Sequence, residues 1–398
     1  MTADAVWRPD TNPTKPPLLP GDVYRPDILA VIEQTIDSLR PQLRELSDKI
    51  HAHPELMFQE HYAHDVYTEF LEGQGWVVQK HYLLETAWVA TYTHGQGGRV
   101  LGVNSEMDAL PGIGHACGHN LIGIAGVAVA CAAKAAMQQL NIDGKVILLG
   151  TPRCHPAPGP PYSISLSSSL AMVRLQVDYG GKTAHAGLSP WEGQNALDAA
   201  VLAYTNIGLL RQQIKPTHRV HGVFGGKDWA PNIIPDNCTV DWFVRAPLTK
   251  EVYDTTDRVK ACFQAAATAT ATTVAFTNEL IGNELVQNKA LGGELADVIR
   301  KQYGNIDYEW GISSASTDFG NITYLMPALH PGFSIPTVPK GGNHTKEFAA
   351  AAATDTAHEA CYTVSKALAH VGMRVITDKA FLAQVKLVFE EDKKSRGF

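Results

Sequence analysis

Apolar positions Ile28, Ile32, Ile36 and Leu39 recur at helical spacing from about residue 28, and Pro41 predicts a break or kink there. A second helical stretch covers about residues 63–71 and stops at Gly73. Short strand-like runs follow at 88–92 and 100–104. The apolar stretch 121–137 follows Asn120, which reads as its N-cap, and its alanines and glycines suit a helix packed closely on a sheet. The continuous apolar run 146–149 predicts a strand buried on both faces. Strands alternating with helices predict an α/β sheet.

A second unit starts near Leu170. Met172, Arg174, Gln176 and Asp178 alternate with Val173, Leu175 and Val177, the pattern of a half-buried strand. Next comes a helix with Leu197, Val201 and Tyr204 on one face. Strands near 219–224 and 238–244, a helix over about 250–267 and a strand near 273–276 complete it. The order is βαββαβ, the ferredoxin-like arrangement. Residues 286–398 read mostly helical and complete the first unit. The expected organisation is a flexible leader at 1–24, a catalytic domain at 25–168 and 286–398, and an inserted unit at 169–285.

The length of 398 residues is compatible with two to three domains at about 150 residues each. With 45% apolar residues the chain can bury a core, which excludes wholesale disorder. Lys and Arg number 33 against 40 Asp and Glu, a net charge of −7, and no basic stripe marks a nucleic-acid binder. The longest apolar run, 121–133, has 13 residues where a membrane span needs about 20. Residues 1–20 are polar and proline-rich and do not read as a secretory signal. The six cysteines are widely scattered, which predicts reduced thiols and a cytoplasmic setting.

The densest chemistry lies in Glu106-Met107-Asp108-Ala109-Leu110-Pro111-Gly112-Ile113-Gly114-His115-Ala116-Cys117-Gly118-His119-Asn120. It follows a strand and precedes a helix, the place where open α/β sheets bind ligands. His115, Cys117 and His119 alternate, so in an extended segment they share a side. Thiolate with imidazole favours zinc or a similar divalent metal. An isolated Cys-x-His is more often a buried thiol beside satisfied histidines. Here the upstream acids and flanking glycines point to metal.

This string resembles the metal-binding segment of the M20 peptidase family, in its amidohydrolase and dipeptidase branch. So do Ile50-His51-Ala52-His53-Pro54-Glu55-Leu56, Gly181-Lys182-Thr183-Ala184-His185-Ala186 and Asn232-Ile233-Ile234-Pro235. Ser316-Thr317-Asp318-Phe319-Gly320-Asn321 and His344-Thr345-Lys346-Glu347-Phe348 extend the likeness, in order, over nearly all of the chain after residue 25. The resemblance implies a catalytic α/β domain with an inserted ferredoxin-like lid, used for dimerisation. It also implies hydrolysis of amide or peptide bonds in dipeptides or N-acyl amino acids, with two metal ions side by side. On that likeness Cys117 bridges the metals, His119 holds one and His344 the other, zinc being the first choice and manganese or cobalt the others. His185 reaches the reacting carbonyl, Asn232 and Arg245 hold the substrate carboxylate, and Ser316 and Thr317 line the pocket. The partners implied are a small-molecule substrate and a second copy of the chain, with neither nucleic acid nor membrane. His51 and His53 read as packing at a helix end and turn.

One segment departs from the family pattern. After the strand, the family motif is Gly-Thr-Pro followed by Ala-Glu-Glu, whose glutamates are general base and metal ligand. This chain has Gly150-Thr151-Pro152 and then Arg153-Cys154-His155-Pro156. His155-Pro156 resembles a later family segment whose His-Pro carries a metal ligand, which makes His155 the candidate third ligand beside Cys117 and His119, and Asp108 and Glu106 are the carboxylates to test as a substitute base. Loss of a general base predicts turnover slower by about 10²–10⁴-fold. The alternatives are a non-catalytic dimeric metal-binding relative and a chain from a gene model lacking a segment.

Overall fold

The computed structural model describes residues 17–151, 157–158, 163–307 and 315–396. Its first elements are α1 (Pro26–Ala52), α2 (His61–Gly73), β1 (Val77–Gln79), β2 (Trp88–His94), β3 (Arg99–Glu106), α3 (His119–Gln139) and β4 (Gly144–Thr151). Then come β5 (Ala157–Pro158), β6 (Ser163–Ser165), β7 (Ala171–Gly180), α4 (Ala196–Leu210), β8 (Arg219–Gly225), β9 (Asn237–Ala246), α5 (Thr249–Thr270) and β10 (Thr273–Gly282). The chain continues through α6 (Lys289–Gln302), β11 (Asn305–Asp307), α7 (Phe319–Leu325), β12 (Gly332–Ile335), α8 (Lys346–Ala351), α9 (Asp355–Thr377) and α10 (Lys379–Arg396). It divides into two compact units, 1–168 with 286–313 and 322–398, and 169–285 with 314–321.

In the first unit a four-stranded sheet has the order β1-β2-β4-β3, with β3 parallel to β4 and β2 antiparallel to it. A second sheet has the order β11-β6-β12-β5. The apolar stripe of α1 buries Ile28, Ile32, Ile36, Leu43 and Ile50, and the helix runs on through Pro41 rather than ending there. The stretch read as a leader is tied down in its last residues. Leu19 N–H donates to the Arg300 carbonyl at 2.9 Å, and the Lys301 ammonium donates to the Asp22 carbonyl at 2.9 Å.

Helix α3 sits between β3 and β4 on one side and α1 and α9 on the other, and is buried nearly all round. It starts at His119 with Gly118 as N-cap, not Asn120. The Asn120 amide instead donates to Ser47 Oγ and to the Ala352 carbonyl, each at 3.0 Å. Buried polar groups need such partners, and that demand overrides the capping preference. The close approach of α3 to β3 depends on Gly123, where an added Cβ would lie 1.9 Å from Tyr67 Oη and 2.8 Å from the Glu106 carbonyl oxygen. Glycine to alanine inside a helix ordinarily stabilises by about 1 kcal/mol. Gly123→Ala is expected to do the reverse and destabilise by about 1–3 kcal/mol through overpacking. Urea unfolding checks the sign, and a raised or unchanged midpoint would contradict the close packing.

The second unit is a four-stranded antiparallel sheet in the order β10-β7-β9-β8, with α4 and α5 packed together against the inner strands. With βαββαβ connectivity this is the ferredoxin-like arrangement expected from the sequence. Val173, Leu175 and Val177 point into its core with Trp242 and Phe263, while Arg174, Gln176 and Asp178 lie on the opposite face, as the alternation predicts. Helix α4 departs from expectation. Its buried face is Ala196, Ala199, Ala200, Ala203 and Ile207, and Val201 and Tyr204 are exposed. Small side chains let the helix lie close on the sheet, so the bulkier stripe is turned outward.

Candidate functional site

In the first unit the motif segment is a tight turn rather than an extended run. The Gly118 N–H donates to the His115 carbonyl at 2.8 Å, and Gly118 has a φ of 75°, which glycine adopts without a Cβ penalty. His115, Cys117 and His119 therefore do not share a side as strand alternation would require. The His115 ring turns to the end of α1, where Nε2 donates to the Ile50 carbonyl at 3.0 Å. Burial pushes its pKa down to about 3, so it is neutral at working pH and serves the packing. His51 and His53 are structural, as expected. His51 Nε2 donates to the Ala349 carbonyl at 2.8 Å, and the His53 ring stacks on Tyr62 at 4.1 Å.

His119 is the first residue of α3 and fully buried. Its Nδ1 lies 2.6 Å from the Asp108 carbonyl oxygen and 2.8 Å from Asp108 Oδ1. The carbonyl acceptor at Nδ1 places the ring proton there, so Nε2 carries the lone pair. That nitrogen faces Glu106 Oε2 at 4.0 Å. Glu106 is in turn oriented from β3 and β4. The Asn104 amide donates to Glu106 Oε1 at 2.8 Å, and Thr151 Oγ1 donates to Asn104 Oδ1 at 2.8 Å. Asn104 and Thr151 were missed in the sequence. The available signal was strand alternation, which puts Asn104 on the same side as Glu106.

Cys117 is a buried cysteine in this turn. The His344 N–H donates to the Ala116 carbonyl at 3.0 Å, which brings residue 344, itself at a left-handed φ of 66°, alongside the motif. His155 lies outside the described residues. Among the described residues no three His, Cys, Asp or Glu side chains converge to hold a metal ion, so a complete ligand cage is not in evidence here. The donor types still fit a divalent metal. A ligating histidine characteristically has its other nitrogen bonded to a carboxylate or carbonyl, as Asp108 does for His119.

The second unit gathers the other expected residues in two pairs. Residues 184–186 and 232–234 form a short ladder, with Ala186 N–H to the Asn232 carbonyl at 3.0 Å and Ile234 N–H to the Ala184 carbonyl at 2.9 Å. His185 is exposed, and its Nδ1 accepts from the Gly187 and Leu188 amides at 3.1 and 3.0 Å. Two donors at Nδ1 leave the proton on Nε2, making that atom a hydrogen-bond donor. In the other pair Arg245 Nη1 donates to Ser316 Oγ at 2.7 Å, and the guanidinium lies over the Phe243 ring at 5.4 Å. Thr317 is buried, and its Oγ1 accepts from the Phe319 amide at 3.3 Å.

Residues 169–271 match the model of a peptidase dimerisation domain. The chain is 37% identical to a Xaa-Arg dipeptidase of Mus musculus over 396 residues, covering 90% of this chain and 91% of that one. It is 35% identical to a Xaa-Arg dipeptidase of Homo sapiens over 404 residues, with the same coverage of 90% and 91%. In fold it is similar to the Bacillus subtilis YXEP protein, described as a dinuclear metal-binding peptidase of the M20 family. The TM-score is 0.60 at 17% identity, over 85% of this chain and 99% of that one. These matches support a hydrolase, and the alternative of a non-catalytic relative finds no support in them.

Proposed function

The chain belongs to the M20 peptidase family of amide-bond hydrolases, and from that premise we propose that its substrates are dipeptides carrying a C-terminal basic residue, with N-acyl amino acids as a wider class. The observation that carries this reading is the fixed orientation of His119, held at Nδ1 by Asp108 beside a buried thiol and a buried glutamate. The preference for arginine comes from the relatives it matches.

Cys117, His119 and His344, together with His155, would hold the metal, and zinc best suits thiolate and imidazole donors. When bound, such a metal polarises the scissile carbonyl and acidifies a water. Asp108 is read as a positioning residue, because its backbone carbonyl holds His119 Nδ1 at 2.6 Å and its Oδ1 lies within 2.8 Å of the same nitrogen. Of the two candidate bases, Asp108 and Glu106, we favour Glu106, whose Oε2 lies on the Nε2 side of the same ring. His185 donates its Nε2 proton to the carbonyl oxygen as negative charge develops. Arg245 and Asn232 read the substrate carboxylate, Arg245 through charge-assisted hydrogen bonds, and Ser316 and Thr317 steady that end. Steady-state kinetics across Ala-Arg, Ala-Glu and N-acetyl-Arg tests the substrate class. The expected order of kcat/KM places Ala-Arg first, and a preference for Ala-Glu would contradict it.

The assembly we propose is a homodimer through the second unit. Its α4 turns Val201, Tyr204 and Leu209 outward, Leu209 being 75% exposed, and β8 is an edge strand with Val223 67% exposed. Apolar surface and an unpaired strand edge are what a second copy covers. Light scattering should give a dimer, and Val201→Glu with Leu209→Glu should give a folded monomer. A variant that remains dimeric would rule out this face. The thiols of Cys131, Cys238, Cys262 and Cys361, unbridged among the described residues, suit a reducing, cytoplasmic setting.

A further inference from the structure

Beyond the hydrolytic site, the second unit has a cavity of about 420 Å³ where α4 gives way to β8. Three cations line it, Arg211, Lys215 and Arg219, together with Gln212, Ile214 and His218, and none of its lining residues is a carboxylate. In a chain of net charge −7 this is a local reversal of sign. The turn itself holds the guanidinium groups in place. Arg211 Nη2 donates to the Val220 carbonyl at 3.2 Å, and Arg219 Nη1 donates to the His218 carbonyl at 2.8 Å and to that of Pro216. An arginine has five N–H donors in a rigid fork, so these bonds tether each exposed group and leave other donors unused by them.

Among the described residues neither Arg211 nor Arg219 pairs with a carboxylate, whereas Lys215 pairs with Glu251. His218 is 8% exposed. Its Nδ1 is within 2.8 Å of Thr255 Oγ1, while among the described residues Nε2 has no hydrogen-bond partner and lies 3.7 Å from Glu251 Oε2. The volume falls within the range of small-molecule sites. We propose that this corner binds a small multivalent oxyanion, a phosphate or a polycarboxylate, held by the forks of Arg211 and Arg219 and neutralised further by Lys215. Guanidinium forks match such oxygens two at a time. The inference does not depend on the hydrolase reading.

Calorimetric titration of the full chain with inorganic phosphate, and separately with citrate, tests it. Saturable binding with a Kd of about 1 mM or tighter is expected for at least one of the two. The tighter of them identifies the head group. Arg211→Gln and Arg219→Gln should each weaken binding about tenfold, the value of one charged hydrogen bond. Because Arg219 also braces the turn, Arg211→Gln is the second reading should Arg219→Gln unfold. Glu251→Gln removes the counter-charge beside Lys215 and should tighten binding, while Lys394→Gln in the other unit should leave it unchanged. The proposal is overturned if neither anion binds saturably, if Arg211→Gln binds as well as the unaltered chain, or if Lys394→Gln weakens binding equally.

Discussion

His119→Gln is expected to leave about a thousandth of the dipeptide turnover of the metal-loaded chain. A metal contributes several kcal/mol of transition-state stabilisation, and each 1.4 kcal/mol or so is a factor of ten. Glutamine keeps much of the volume but loses the imidazole that Asp108 orients toward Glu106. The buried hydrogen bonds at Nδ1 are lost or weakened too, which costs about 1–3 kcal/mol of stability, so circular dichroism must first show a folded protein. Elemental analysis of the unaltered chain, purified without chelator, should give about one zinc-like ion per chain, if the proposed ligands Cys117, His119 and His155 hold one metal together. His119→Gln and Cys117→Ser should both fail to retain it. A folded His119→Gln variant with ordinary turnover and metal content would remove His119 from the site.

His185→Ala should lower kcat by about 10²–10³-fold, the usual loss when one donor to a developing oxyanion is removed. Its ring is exposed, so the fold and the metal content should be unchanged. Because the donor acts on charge that appears only in the transition state, KM should move little. His185→Gln, which keeps an N–H donor at similar reach, should recover part of the loss. A His185→Ala variant that raises KM and spares kcat would instead make His185 a substrate-binding residue.

The alternating strand β7 and the βαββαβ order were legible in the sequence because a half-buried strand and its crossovers leave a period-two signature. So was the structural part of His53, whose partners Lys49 and Tyr62 are near in sequence, whereas His51 meets the Ala349 carbonyl far along the chain. The inner face of helix α4 was not legible, since large apolar residues usually mark it and here alanines do. The local turn at 115–119 was hidden by reading alternation where glycines at 114 and 118 adopt left-handed conformations. The buried partners of Asn120 and the link from Arg245 to Ser316 join residues 71 to 232 positions apart, which no local pattern encodes. Ser316 and Thr317 group with the second unit although the chain between had been assigned to the first.

The central claim is that this chain hydrolyses peptide bonds through the turn at Cys117 and His119. The most direct measurement follows release of free arginine from Ala-Arg by the purified full chain, first with added zinc, then after chelation, then with zinc restored. Arginine release is expected in the first and third conditions and not in the second. Its rate should lie about 10²-fold or more below that of a relative bearing the glutamate pair, because Arg153-Cys154-His155 stands where Ala-Glu-Glu would be. Release that persists through complete chelation, or none above buffer from a folded and zinc-loaded chain, would contradict the claim.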